Sequence, residues 1–243
     1  MFDRREVVRS WCEAHRQGSP LSELQLLTAQ TMRHPNLIAL TAGRWTTQDL
    51  LNHEQGIIDT ATKTLGTGVA VAAPAAVEAA IASRLTITDE QAALVRDLVS
   101  RGDGVSVLIA AAGTGKGFVL GVAREAWQAE GHRVLGAALA ARAASELGSG
   151  AGIGAQTITS LIGQLDDGKT LKAGDVLVID EAGMVGTRQL ARLISHAAER
   201  YAKVVLVGDP RQLPEIQAGG VLGGLAQHVP VLTLNENRRQ TQP

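Results

Sequence analysis

Apolar residues recur along this chain at two different periods, and the change falls near Leu85. Upstream, Val7 to His15 and Leu21 to Met32 carry them at helical spacing, with Gly18, Ser19 and Pro20 breaking the two stretches apart and Ser22 placed to cap the second. A third amphipathic helix is predicted to begin behind Thr46 or Thr47 and run through Ile58. Leu50, Leu51, Ile57 and Ile58 form its apolar side, and Glu54 and Gln55 its wet side. Between Gly66 and Ala82 the composition collapses to Gly, Ala, Val and Pro, which predicts a linker running into an Ala-rich helix. From Leu85 onward, short β-branched apolar runs alternate with helical stretches. The runs are Val105 to Ala110, Arg133 to Ala138, Asp175 to Asp180, Val204 to Asp209 and Val231 to Leu234, and the helices include Lys116 to Ala129 and Arg188 to Tyr201. Runs that are apolar at every position are buried on both faces, so five parallel strands covered by helices are expected, a doubly wound α/β fold. The expected organisation is an N-terminal helical region (1–65), an Ala/Gly-rich linker or helix (66–84) and an α/β domain (85–243).

In such sheets ligands bind beyond the carboxyl ends of the strands, so the residues after each run are the candidates for chemistry. The first run leads into Ala110-Ala111-Ala112-Gly113-Thr114-Gly115-Lys116-Gly117, at the start of a helix. Glycines there let successive backbone amides fold around phosphate oxygens, the helix N-terminus adds positive potential, and Lys116 reaches for the β and γ phosphates. This predicts a phosphate loop. It departs from the usual pattern twice: Ala110 replaces the first glycine, and Gly117 stands where a Ser or Thr hydroxyl ordinarily ligates Mg²⁺. Restoring that hydroxyl with Gly117→Thr is expected to raise magnesium-dependent turnover.

The third run delivers Asp180 and Glu181, adjacent carboxylates that can divide the labour of holding Mg²⁺ through water and polarising an attacking water. The fourth ends in Gly208-Asp209-Pro210-Arg211-Gln212-Leu213-Pro214, where Gln212 is an uncharged donor suited to a γ-phosphate oxygen. The last leads to Asn235-Glu236-Asn237-Arg238-Arg239-Gln240, which puts a guanidinium near the same edge.

Composition narrows the partners. With 24 acidic and 23 basic residues the net charge is −1, so nucleic acid would have to be held by a local groove and not by a global field. Aromatic residues make up 2% of the chain, which argues against a base-stacking platform. Cys12 is the only cysteine, which excludes a disulfide framework and suits a reducing cytosol. No apolar run approaches the roughly 20 residues that span a bilayer.

The ordered series AAGTGKG, QTITSLI, VLVIDEAGM, LVGDPRQLP and LTLNENRRQ resembles the first motor domain of superfamily 1 helicases of the RecD-like branch. The stretch WTTQDLLNHEQGIID followed by LTITDEQAALV is similar to the segment before the motor in relaxase-helicases of conjugative plasmids, the TraA and TraI type. The resemblance runs from about Trp11 to Gln240. It implies a RecA-like ATPase in the bacterial cytoplasm, with ATP and Mg²⁺ as cofactors and single-stranded DNA as partner. It assigns adenine recognition to Gln91, which the residues alone read as a helix N-terminal position. It assigns DNA contact to Thr157, otherwise a helix N-cap. Asp180 becomes the Mg²⁺ acid, Glu181 the water-activating acid, Gln212 the γ-phosphate sensor and Arg239 the fourth-motif arginine, while Arg238 is less constrained.

Such motors close ATP against a second RecA-like domain, and the expectation is that this chain lacks it. No relaxase histidine triad or tyrosine context is legible, since Tyr201 is the only tyrosine and falls late in a motor helix. Two other readings stay open: a nucleotide-dependent interaction module of weak turnover, and, more distantly, a P-loop phosphotransferase, against which the GDPRQLP element counts.

Overall fold

A computed structural model describes residues 1–111, 113–208 and 221–235. The chain forms two compact units, Met1–Gln55 and Gly56–Pro243.

In the first unit, helix α1 (Arg4–Ala14) opens on a capping box: the Asp3 carboxylate accepts from the Glu6 amide at 2.9 Å, and the Glu6 carboxylate accepts from the Asp3 amide at 2.7 Å. Helix α2 (Leu21–Met32) is tied to α1 by the Trp11 indole N–H, which donates to Thr31 Oγ1 at 3.0 Å. Its N-cap is Pro20, not Ser22. The Pro20 carbonyl accepts from Glu23 and Leu24, which leaves Ser22 inside the first turn. Strands β1 (Leu37–Ala39) and β2 (Trp45–Thr47) then pair antiparallel, a hairpin too short to show a legible alternation. Helix α3 (Gln48–Lys63) begins in this unit and ends in the second, with Thr47 Oγ1 accepting from the Leu50 amide at 3.2 Å, as the sequence predicts for that threonine.

The second unit holds the sheet. Helix α4 (Pro74–Ala82) carries proline at its start, where no amide hydrogen is needed, and α5 (Asp89–Ser100) has a Thr88/Gln91 capping box. Six parallel strands then alternate with helices: β3 (Val105–Ala110), α6 (Lys116–Ala129), β4 (Val134–Ala138), α7 (Ala141–Ala151), β5 (Ala155–Thr157), α8 (Ile158–Asp166), β6 (Val176–Ile179), α9 (Thr187–Glu199), β7 (Lys203–Gly208), α10 (Val221–Ala226) and β8 (Val231–Leu234). Their order across the sheet is β5-β4-β6-β7-β3-β8, with every neighbour parallel. The five predicted strands are all present. The sixth, β5, is a three-residue edge strand that the sequence shows only as the QTITSLI motif.

Alternate residues of each central strand enter different cores. Leu108, Val176, Val178, Val205 and Val207 pack with Leu98, Val99, Leu120 and Trp127 on the face covered by α4 to α7. Val107, Leu177, Ile179, Val204 and Leu206 pack with Ile158, Leu190, Leu193 and Ile194 on the other. Both faces are therefore dry, which is why the runs are apolar at consecutive positions. Among the described residues no helix is long and apolar enough to cross a membrane.

Candidate nucleotide site

Parallel strands bring their carboxyl ends to one edge, and three of the predicted elements meet there. After β3, Gly113 and Gly115 adopt φ of +89° and +85°, a left-handed backbone that a Cβ would strain. Between them Thr114 is fully buried, with its Oγ1 donating to the Ala111 carbonyl at 2.8 Å. Gly115 is the N-cap of α6 and has no side chain to satisfy the first-turn amides of the helix, which leaves them for an anion.

Strand β6 lies beyond β7 from β3, yet Lys116 Nζ reaches Asp180 Oδ1 at 2.6 Å. The same carboxylate oxygen accepts from the Glu181 amide at 2.9 Å, and Asp180 is buried. Glu181 sits at φ +52° and caps a 3₁₀ turn, Ala182–Met184, whose Met184 amide returns to its carbonyl at 2.9 Å. A left-handed non-glycine residue costs on the order of 1–3 kcal/mol and tends to persist where function requires it.

Gln91 is 1% exposed. Its Oε1 accepts from the Thr88 amide at 3.3 Å and its Nε2 donates to the Thr114 carbonyl at 3.0 Å. The carboxamide that the resemblance assigns to adenine is thus bonded at both ends to protein, and it joins α5 to the phosphate loop. Thr157 ends β5 and caps α8, its Oγ1 accepting from the Ser160 amide at 3.2 Å. It lies on the same edge as Asp180, with β4 between their two strands. Ala112, Gln212, Arg238 and Arg239 lie outside the described residues; β7 ends at Gly208 and β8 at Leu234.

These residues suit a nucleoside triphosphate better than they suit its metal. The left-handed glycines and open helix terminus form a phosphate cradle, and Lys116 supplies its charge. Asp180 and Glu181 could hold the metal, but position 117 offers it no hydroxyl. A Cβ built on Gly117 would lie 3.1 Å from the carbonyl carbon and oxygen of Gly150, so Gly117→Thr meets backbone and requires α7 to give by a few tenths of an ångström. Sequence inspection finds the missing hydroxyl and misses Gly150, because the contact joins two helices with no local pattern linking them.

The fold and this edge define a RecA-like P-loop nucleotide-binding domain. Residues 86–243 match the AAA domain family AAA_30, and the chain belongs to that family. It is 39% identical over 166 residues to a probable conjugal transfer protein TraA of Sinorhizobium fredii, a match covering 68% of this chain and 15% of that protein. It is 32% identical over 163 residues to the ATP-dependent RecD2 DNA helicase of Deinococcus radiodurans, covering 65% of this chain and 22% of the relative. Among solved structures it is similar to Bacteroides sp Pif1 in complex with ADP-AlF4, at TM-score 0.43 and 21% identity over 66% of this chain and 44% of that one. The chain is a helicase-like domain of the RecD-like branch of superfamily 1, related to the TraA proteins, and it spans about 15% of their length.

Proposed function

We propose that this chain is the ATP-binding and hydrolysing first motor domain of a single-stranded-DNA translocase or 5′–3′ type helicase, working with a second RecA-like domain within a conjugative relaxase-helicase of the bacterial cytoplasm. The observation that carries the reading is the Lys116–Asp180 contact beside the left-handed glycines, since a lysine and a carboxylate suited to phosphate and metal meet at one point of the sheet edge. When bound, Mg²⁺ would neutralise charge on the phosphates. Lys116 and the first amides of α6 bind and orient the phosphates, Asp180 would hold the metal through water, and Glu181 would accept a proton from the attacking water. Thr157, Gln212 and Arg239 keep the DNA-contact, γ-phosphate and transition-state roles that the resemblance implies.

The test is ATP turnover with and without Mg²⁺ and single-stranded DNA, for this chain alone and joined to a second RecA-like domain. Magnesium-dependent turnover that DNA stimulates in the joined form is the expected result, and Lys116→Ala should abolish ATP binding. Tight binding by that variant would refute the phosphate-loop assignment. Gly117 favours one second reading, a nucleotide-dependent interaction module, which predicts nucleotide binding with no turnover in either form.

A further inference from the structure

Helix α6 presents Gly117, Gly121 and Arg124 on one face, spaced by successive turns. That face seats the end of α7. A Cβ on Gly117 would lie 3.1 Å from Gly150 C and O and 3.2 Å from its Cα, and a Cβ on Gly121 would lie 3.3 Å from the Ala151 carbonyl oxygen. One turn further on, the Arg124 guanidinium covers Gly152, the left-handed C-cap of α7, where a Cβ would come within 3.2 Å of its Cζ. The atoms met at position 117 are all backbone, so no rotation of a neighbouring side chain relieves the contact. The crossing is also asymmetric: a Cβ on Gly150 would find Gly117 Cα at a comfortable 3.8 Å.

A hydroxyl at position 117 would have to hang from that Cβ. The α7 backbone would have to give by a few tenths of an ångström to admit it, so the demand for glycine comes from the helix crossing. Building on the nucleotide-site reading above, we infer that Gly117 is a helix-crossing residue whose tight packing against α7 disfavours the phosphate loop's usual metal ligand, leaving Asp180 to anchor the metal. The phosphates then rely on Lys116 and the loop amides, while among the described residues the metal's link to the protein runs through the end of β6. Thr114, the hydroxyl nearest in sequence, is fully buried with its proton given to the Ala111 carbonyl, so its oxygen would have to become exposed before it could reach a metal.

The experiment compares the wild-type chain with Gly117→Ala, Gly117→Ser, Gly150→Ala and Asp180→Asn. It measures thermal midpoints and the fluorescence titration of N-methylanthraniloyl-ATP in Mg²⁺ and in EDTA. The two position-117 variants should lose about 3 °C or more, and to similar extents, whereas Gly150→Ala stays near wild type. The Mg²⁺/EDTA affinity ratio should agree between Gly117→Ala and Gly117→Ser within about twofold, and in Asp180→Asn it should fall to about twofold or less. Wild-type midpoints in both position-117 variants would overturn the crossing. A magnesium gain of about tenfold in Gly117→Ser over Gly117→Ala, or strong magnesium dependence persisting in Asp180→Asn, would overturn the metal assignment. Should the position-117 variants not fold, the crossing is upheld and the Asp180→Asn ratio decides the metal. Absence of nucleotide binding in every form would instead sink the function proposed above, with the thermal comparison still judging the crossing.

Discussion

Lys116 and Asp180, 64 positions apart in the chain, form an ion pair at 2.6 Å although β7 lies between β3 and β6, the strands that precede them. The pair competes with nucleotide: the lysine must turn from the carboxylate to the phosphates, and the carboxylate repels those phosphates unless a metal lies between. Asp180→Asn removes the competitor and the repulsion together. ATP affinity in EDTA should therefore tighten by roughly fivefold, the worth of about 1 kcal/mol for a partly exposed pair, while magnesium-dependent turnover is lost. The check is a titration without metal, and a weaker variant would mean that the pair instead holds the loop in its binding shape.

Gln91 joins two protein partners, the Thr88 amide and the Thr114 carbonyl, and is almost wholly buried. Gln91→Ala opens the capping box and leaves a carbonyl of the phosphate loop unpaired, at a cost of about 1–3 kcal/mol in unfolding free energy. Acting as a strut, Gln91 should matter equally for any base, so ATP and GTP affinities are expected to fall together. Parallel titrations with the two nucleotides decide this. A loss confined to ATP would show that the carboxamide leaves its protein partners and reads adenine, as the resemblance implies.

How legible a feature is in this sequence depends on how far away its cause lies. Val105, Val107 and Leu108 announce a doubly buried strand because both cores want apolar residues at consecutive positions, and the other central strands share the signal. Strand β5 has only partly buried residues over its three positions, so nothing in Ala155, Gln156 or Thr157 distinguishes it from a loop. The phosphate loop is legible because its glycines answer a local demand for left-handed backbone. Gly117 is legible only as an anomaly, since its partner Gly150 lies on another helix. The Thr88–Gln91 cap is a local pattern, whereas the Gln91–Thr114 bond is a tertiary fact that no spacing reveals.

Thr157 has a structural duty that can be separated from the proposed one. Its hydroxyl caps α8 through the Ser160 amide, so Thr157→Ala should cost about 1 kcal/mol and Thr157→Ser, which keeps the oxygen, less. The DNA role predicts that Thr157→Ala weakens single-stranded-DNA binding more than it weakens nucleotide binding. Anisotropy titrations of a labelled oligonucleotide beside nucleotide titrations measure the two. Equal losses would leave Thr157 with its cap alone.

Lys203 sets a pH dependence that has nothing to do with the nucleotide. It opens β7 with no exposed surface, and its ammonium donates to the Asp103 carbonyl at 2.7 Å. Burial pushes its pKa from 10.5 down to about 8; the Asp103 charge opposes that shift and Arg101 adds to it. At intermediate pH the unfolded chain therefore carries a proton on this lysine that the folded chain has released. Stability from this group rises as pH climbs from about 8 towards 10.5, and below about pH 8 the full penalty is present. That penalty is about 3 kcal/mol at roughly 1.36 kcal/mol per pH unit. Lys203→Met removes the titration, although it also leaves the Asp103 carbonyl without its donor, so the informative quantity is the change of the difference with pH. Urea unfolding of both chains at about pH 7.5 and about pH 9.5 should show wild type gaining roughly 2 kcal/mol on the variant across that interval. If the two stabilities move in parallel, Lys203 keeps an ordinary pKa, and the buried ammonium must be stabilised by more than one carbonyl.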